Sequence, residues 1–177
     1  MSRRRLLQIG AVVPLSLSIL PRRVWASEAP ERSISFYNLH TGESLKTTFW
    51  ADGGYVSEGL REIDHVLRDF RTGDVTAMDP GLFDLLHALS ERLGTQSTFQ
   101  VISGYRSPAT NAMLHEHSSG VASNSFHIRG KAIDIRLPDR DLADIQRAAL
   151  SLRAGGVGYY PRSDFVHVDT GPIRHWS

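Results

Sequence analysis

Hydrophobic and polar positions alternate along the first part of the folded chain, and this pattern predicts a β-hairpin. Residues 33–37 and 44–50 are rich in aromatic and β-branched side chains, and the turn pair Thr41-Gly42 separates them. Asp52-Gly53-Gly54 predicts a second turn directly after the hairpin.

Helical periodicity follows the hairpin. Apolar residues spaced three or four apart predict an amphipathic helix over 58–70. A stripe of leucines predicts a second helix, which begins after the N-cap Asp79 and ends at Gly94. Ser107-Pro108 opens a third helix that runs towards residue 117, and Asp139 is the predicted N-cap of a fourth.

Four further runs predict strands, over 98–103, 132–135, 157–160 and 165–169, and the last two of these are expected to be the final strands of the chain. Helices and strands are mixed without a regular βαβ alternation. The sequence therefore predicts an α+β fold in which a largely antiparallel sheet is packed with helices.

The N-terminal segment has the composition of an export signal. A basic head, Arg3-Arg4-Arg5, precedes an apolar run over 9–20 and small residues that end at Ala26. We therefore expect a signal peptide over 1–26 that is cleaved near Ala26, a linker over 27–32 and one domain over 33–177. The apolar run is too short to predict a permanent membrane anchor. The paired arginines resemble a twin-arginine signal, although Gln8 stands where lysine is usual, so the Tat and Sec routes both stay open.

Removal of the signal reverses the sign of the net charge. The whole chain carries 20 Lys and Arg against 19 Asp and Glu, and the signal contains five of the arginines and no acid, which leaves a mature net charge of −4. A nucleic-acid partner is not expected of such a chain. It also contains no cysteine, so that disulfides, thiol nucleophiles and thiolate metal sites are excluded.

Two segments combine histidine with carboxylate in apolar surroundings. His127 is followed by Asp134 inside an apolar strand, and strand alternation puts His167 and Asp169 on one face of the final strand. Two imidazoles and one carboxylate can bind zinc and leave a fourth position for water. The spacing alone is equally consistent with three separate core residues that are satisfied by local hydrogen bonds.

The order of the motifs favours the metal site. Residues 103–108 (SGYRSP), 125–134 (SFHIRGKAID), 155–161 (GGVGYYP) and 165–171 (FVHVDTG) occur in the order found in the M15 family of zinc D,D-peptidases. The chain resembles the DUF882 branch of that family, which includes a murein endopeptidase of the Gram-negative periplasm. The resemblance covers residues 34–176 and implies the fold that these peptidases share with the hedgehog signalling domain.

The resemblance also implies roles for individual residues. His127, Asp134 and His167 match the ligands of one zinc ion per chain. Arg106 matches an arginine that stabilises the oxyanion in the transition state.

The identity of the general base stays open between two aspartates. Asp164 stands three residues before the last histidine ligand, where the family places an acid, and is the preferred base. Asp169 is the competitor, and we expect it instead to orient an imidazole or Arg106. Tyr159 and Tyr160 are candidate substrate-binding residues, although packing of an aromatic strand explains them equally well.

Together these observations predict a monomeric, periplasmic zinc metallo-endopeptidase that cleaves stem-peptide cross-links of peptidoglycan. One alternative is a D,D-carboxypeptidase or D-Ala-D-Ala dipeptidase, which would differ in the walls of its groove. Another is a non-catalytic, zinc-containing cell-wall-binding module. Retention of both Arg106 and Asp164 favours an enzyme over that module.

Overall fold

The computed structural model describes residues 30–117 and 121–177, which form an eight-stranded sheet with helices packed on it. In chain order its elements are β1 (Arg32–Asn38), β2 (Ser44–Ala51), β3 (Gly54–Tyr55), α1 (Ser57–Val66), α2 (Pro80–Leu93), β4 (Phe99–Ser103), α3 (Pro108–His117), a 3₁₀ helix (Phe126–Arg129), β5 (Ala132–Arg136), α4 (Leu142–Leu152), β6 (Gly156–Tyr160), β7 (Phe165–Asp169) and β8 (Arg174–Trp176).

The strand order in the sheet is β3-β2-β1-β4-β5-β7-β6-β8. Strand pairs β1–β4 and β6–β8 are parallel, and the other neighbouring pairs are antiparallel. The predicted α+β fold with a largely antiparallel sheet is therefore confirmed.

The predicted N-terminal hairpin is present as β1 and β2. At its turn the side chain of Asn38 accepts hydrogen bonds from the backbone N–H groups of His40 and Thr41. The second turn joins β2 to β3 through Asp52 and Gly53, whose φ angles of 52° and 79° are left-handed. Aspartate and glycine tolerate that conformation better than most residues, which explains why the sequence signal predicted the turn correctly.

Helix α2 has the predicted ends. The carboxylate of Asp79 accepts from the N–H of Gly81 at 3.0 Å, and Gly94 closes the helix with a φ of 61°. The stripe that faces the sheet and α4 is fully buried and comprises Leu82, Phe83, Leu86 and Leu89. Each such side chain contributes roughly 1.5–3 kcal/mol on burial.

Helix α1 is shorter than the predicted helix over 58–70 and ends at Val66. The residues that follow bind another segment instead of continuing the helix. Leu67 accepts a backbone hydrogen bond from Tyr105 at 2.7 Å, and Asp69 accepts one from the N–H of Ser107. Phe70 continued the apolar period in the sequence, but its ring stacks on His40 with a centroid separation of 3.8 Å.

The predicted N-cap of α4 is wrong by two residues. The helix begins at Leu142, and Asp141 occupies the N-cap position. Asp139 lies before the helix, and its carboxylate accepts a hydrogen bond from the hydroxyl of Thr95 at 2.6 Å and pairs with Arg140.

Strand β8 is absent from the sequence prediction, which placed the last strand at 165–169. It pairs in parallel with β6, so that Trp176 lies beside Gly158. A Cβ atom at Gly158 would lie 2.6 Å from the indole ring of Trp176. Glycine at this position therefore allows the indole to pack directly on the backbone of β6.

The centre of the sheet has one apolar and one polar face. Ile133 and Ile135 of β5, together with Val166 and Val168 of β7, belong to the hydrophobic core. Because side chains alternate along a strand, Asp134 and His167 point to the opposite face, where the strand register places them directly opposite each other.

The predicted signal peptide over 1–26 lies outside the described residues, as do residues 27–29 of the predicted linker. Among the helices of residues 30–117 and 121–177, none combines the length and apolar content that a membrane span requires.

Candidate active site

His127, Asp134 and His167 converge on the polar face of the sheet. The Nε2 atom of His127 is 3.3 Å from Asp134 Oδ1 and 3.2 Å from His167 Nδ1. His167 Nδ1 is in turn 2.8 Å from the same carboxylate oxygen. All three side chains are buried, and they form a group that could hold a metal ion.

The 3₁₀ helix presents His127 to the two strands. Ser125 caps this short helix by accepting the N–H of His127, and Gly130 ends it with a left-handed φ of 65°. A Cβ atom at Gly130 would lie 2.7 Å from the carbonyl oxygen of Ala77, so a larger residue would push the turn away from the chain that precedes α2. The glycine in the sequence motif is explained by this close approach.

The other nitrogen of each imidazole is held by the protein. His127 Nδ1 lies 2.7 Å from the carbonyl oxygen of Gly104, which can only accept, and His167 Nε2 lies 3.0 Å from Asp169 Oδ2. When a metal ion replaces the proton between the ring and Asp134, these contacts would keep a proton on each outer nitrogen and leave the lone pairs of the inner nitrogens for the ion. Such an outer hydrogen bond is typical of histidines that bind metals.

The three inner atoms fit a zinc ion. Tetrahedral zinc with bonds of about 2.0–2.1 Å to nitrogen and oxygen separates neighbouring ligand atoms by roughly 3.3 Å. The observed separations of 2.8–3.3 Å are close to this value. Two imidazoles and one carboxylate are also the kind of ligand set that leaves zinc a position for water or substrate.

The electrostatics of the cluster favour a cation between these groups. Burial opposes the charged form of Asp134, but His127 and His167 outweigh it and hold the pKa of that carboxyl well below its usual range. Burial also opposes protonation of His167, yet hydrogen bonds to Asp134 and Asp169 raise its pKa to about 9. The site therefore attracts positive charge, which a metal ion can supply in place of a proton.

Asp169 lies behind His167 and is fully buried. Besides the imidazole, its carboxylate accepts the backbone N–H groups of Gly156 and Gly171 and both terminal nitrogens of Arg174. These donors outweigh the effect of burial and hold the pKa of Asp169 well below its usual range. The carboxylate thus contacts a predicted ligand and not the inner atoms of the cluster.

Arg106 borders the cluster on the side of Asp134. Its Nη2 atom is 3.9 Å from Asp134 Oδ2, and its remaining contacts, to Ser103 Oγ and Asn111 Oδ1, are long at 3.4 Å. The side chain is only 12% exposed, and its buried Nε has no hydrogen-bond partner among the described residues. Burial lowers the pKa of Arg106, but a guanidinium remains charged in proteins. Because its present contacts are long, the guanidinium of Arg106 can donate a hydrogen bond to an oxygen atom of a molecule bound in the cleft.

The turn that carries Arg106 is fixed from both sides. Tyr105 donates its N–H to Leu67, Ser107 donates to the carboxylate of Asp69 at 2.8 Å, and Arg106 itself donates to the carbonyl oxygen of His127. The segment after α1 therefore holds Arg106 next to His127, one of the candidate ligands.

The structure does not bring Asp164 into the cluster. Its φ of 57° is left-handed, its side chain is 60% exposed, and its carboxylate pairs with Arg136 at the end of β5. The neighbouring residues Ser163 and Phe165 both line the cleft, so Asp164 lies at the rim.

The two tyrosines of β6 face opposite ways. Tyr160 lines the cleft, stacks on Phe165 and accepts a hydrogen bond from the indole N–H of Trp176 at 2.7 Å. Tyr159 packs against the hydrophobic core instead. Alternation along the strand requires this difference, so only Tyr160 of the predicted pair can contact a molecule in the cleft.

The cleft has a volume of about 650 Å³. The lining includes Phe126, Arg174 and Trp176, which the sequence analysis did not single out as site residues. Phe126 directly precedes His127 and could have been identified from that position. Arg174 and Trp176 lie on the unpredicted strand β8, and no local signal in the sequence places them near the histidines.

Comparison with known proteins gives concordant matches. The family model Peptidase_M15_2, described as peptidoglycan L,D-endopeptidase MepK, matches residues 26–176. The peptidoglycan L,D-endopeptidase MepK of Escherichia coli (strain K12) is 49% identical over 177 residues, which cover 99% of this chain and 97% of that protein. The probable peptidoglycan L,D-endopeptidase MepK of Haemophilus influenzae is 45% identical over 178 residues, which cover 99% of this chain and 95% of the relative. No solved structure matches the chain.

Proposed function

The chain belongs to the Peptidase_M15_2 family of peptidoglycan endopeptidases, and we propose that it uses one zinc ion to hydrolyse L,D peptide cross-links of the cell wall. The observation that carries the proposal is the convergence of His127 Nε2, Asp134 Oδ1 and His167 Nδ1 in a cleft large enough for a peptide. The L,D preference is taken from the names of the relatives.

A zinc ion held by these three residues would act as a Lewis acid and lower the pKa of a bound water towards 7. The protein contributes the orientation of the ligands. Gly104 and Asp169 fix the orientation of the imidazoles, so that the inner nitrogens stay directed at Asp134.

Arg106 is proposed to stabilise the negative charge that develops on the scissile carbonyl oxygen. Its guanidinium is buried, borders Asp134 and has long contacts that a better acceptor can replace. A buried cation that is already positioned beside the reacting group stabilises a developing charge with little reorganisation during the reaction.

Asp164 is proposed as the general base. Within the part of the chain that the structure describes, Asp134 is the only carboxylate that lines the cleft, and its Oδ1 belongs to the candidate ligand set. Asp169 is enclosed behind His167. Asp164 is exposed at the rim and pairs with Arg136. The proposed role requires its side chain to rotate towards the cleft, where it would accept a proton from water and return it to the leaving amine.

The two alternative functions receive less support. The relatives are named endopeptidases, which favours cleavage within cross-linked peptides over removal of a terminal D-alanine. A non-catalytic wall-binding module has no need for a buried, weakly bound arginine beside the ligands, yet Arg106 is retained in that position.

Peptidoglycan lies outside the cytoplasm, so the enzyme acts in an extracytoplasmic compartment. We place it in the periplasm as a monomer after removal of residues 1–26. The charged head, apolar run and small residues before position 27 support export.

Mass spectrometry of muropeptides tests the proposed function. Purified mature protein should convert L,D-linked dimers from isolated cell walls into monomers and leave the D,D-linked dimers in place. The His167→Ala variant is the control for a contaminating hydrolase. Release of terminal D-alanine with intact dimers would show a carboxypeptidase, and binding to the wall without any cleavage would show the non-catalytic module.

A further inference from the structure

Arg174 is held rigidly at the edge of the cleft. Its two terminal nitrogens donate to the fully buried carboxylate of Asp169 at 3.1 and 2.7 Å. The guanidinium carbon also lies 5.0 Å from the ring centres of both Phe126 and Trp176. This combination of an ion pair and two aromatic rings fixes the plane of the guanidinium.

One edge of this guanidinium remains available. The side chain is 39% exposed and lines the cleft. Within residues 30–117 and 121–177, its Nε and one hydrogen on Nη2 donate to no protein acceptor, since the other contacts engage Asp169 and Pro172. Two parallel N–H groups on one edge match the geometry of a carboxylate.

Few carboxylates of the protein compete with a substrate carboxylate for Arg174. Asp134 is the only acid among the described residues that line it, whereas Arg106 and Arg174 approach the cluster from different sides. Arg106 borders Asp134, and Arg174 lies beyond the outer nitrogen of His167.

We propose that Arg174 binds a free carboxylate of the substrate on the amine side of the scissile amide. The inference rests on the proposed function and specifies which substrates the site accepts. When a cross-link is made through the amine of a D-configured carbon, that carbon can also carry a carboxyl group that is not part of the chain. This carboxylate is two bonds from the amide nitrogen, so it enters the cleft whenever the amide is placed beside the cluster.

Kinetics with two synthetic cross-linked peptides test the proposal. One peptide carries the free carboxylate on the amine-side carbon, and the other carries a carboxamide there. The wild-type enzyme should prefer the carboxylate by roughly ten- to hundredfold in kcat/KM, the range expected for hydrogen bonds to a charged group. Arg174→Lys keeps a positive charge for Asp169 but removes the planar edge, so it should retain zinc and cleave both peptides at nearly the rate of the carboxamide.

The controls separate recognition from structure. Arg129→Lys is the matched control. The guanidinium of Arg129 also lies over Phe126, at 5.5 Å, but it donates to Asn124. The preference for the carboxylate peptide should therefore persist in this variant. An equal loss on both peptides in Arg174→Lys, together with lost zinc, would show that Arg174 acts only through Asp169 and would overturn the proposal. Equal wild-type rates on the two peptides would overturn it while leaving the endopeptidase function intact. Cleavage of neither peptide by the wild type would refute the proposed function as well.

Discussion

At the scale of single residues, His167 connects the candidate metal site to the groups behind it. Its Nδ1 faces Asp134 and His127, and its Nε2 contacts Asp169. A substitution of a residue in the cluster should therefore remove a metal ligand, whereas a substitution of Asp169 should leave the ligands present but poorly oriented. Two predictions separate these effects.

The first prediction concerns metal content. We expect about one zinc ion per mature chain, and His127→Ala or His167→Ala should abolish most of the occupancy because two remaining ligands bind zinc weakly. Elemental analysis of purified protein measures this. His115→Ala is the matched control, since that imidazole is exposed and contacts the backbone of Val121 outside the cluster. Full occupancy in both ligand variants would show that the assignment is wrong.

The second prediction separates the two aspartates. Asp164→Asn should retain zinc and lose roughly two to four decades of rate, as expected for a general base. Asp169→Asn should lower zinc affinity about ten- to a hundredfold, because an amide nitrogen cannot accept the hydrogen bonds that the carboxylate accepts now.

Zinc content and muropeptide cleavage should be measured on both variants in parallel, with Asp74→Asn as an exposed control. If Asp164→Asn holds zinc and turns over at a near-normal rate, the base is another group.

At the scale of elements, the position of Arg106 depends on the segment that follows α1. Asp69 is 1% exposed and accepts the backbone N–H groups of Ser107 and Arg71. Burial opposes its ionisation, but hydrogen bonds from Thr110 and Ser107 outweigh that effect and lower the pKa of Asp69 to about 2, from 3.8. The folded state thus favours the ionised form more than the unfolded state does.

The third prediction follows from this shift. Because the pKa of Asp69 is lower in the folded state, ionised Asp69 stabilises the fold by on the order of 2 kcal/mol at pH values above the unfolded-state pKa. This contribution is lost as the pH falls from about 4 to 2. Asp69→Asn should therefore reduce the free energy of unfolding at pH 7 and flatten its acid dependence, because the amide can accept at only one of the two positions. Denaturant unfolding at pH 7 and pH 3 measures both effects. Asp74→Asn, in the same loop, should match the wild type at both pH values.

The elements that the sequence predicted correctly depend on local physics. Asp79 and Gly94 terminate α2 through a cap and a left-handed residue, and both signals lie within the helix or next to it. The errors occurred where distant segments compete for the chain. Leu67 ends α1 because its carbonyl oxygen accepts from Tyr105, a contact that helical periodicity cannot indicate. Strand β8 has three residues and depends on contact of Trp176 with Gly158, so it carries no pattern of its own.

At the scale of the whole molecule, the candidate ligands could be predicted because strand alternation and motif order are encoded in the sequence. Asp134 and His167 lie opposite each other, as two residues on the same face of paired strands can. The surroundings of those ligands could not be predicted. Arg174 reaches Asp169 only because β8 returns to the sheet beside β6, and Asp164, which precedes β7, pairs with Arg136 at the end of the neighbouring strand β5. Both contacts depend on the completed fold.

The export route gives the last prediction, since the cross-links lie beyond the membrane while the chain is made in the cytoplasm. Arg3→Lys combined with Arg4→Lys conserves the charge of the basic head, so a route that needs only positive charge should still accept the variant. A twin-arginine route recognises the guanidinium pair itself and should reject it. We therefore expect the 19.7 kDa precursor to accumulate in the cytoplasm, detected by immunoblot of cell fractions as a band larger than the mature form. Arg22→Lys with Arg23→Lys is the matched control, because it makes the same exchange near the cleavage site and should leave export unchanged. Normal processing of the first variant would assign the Sec route and leave the predictions for the enzyme unaffected.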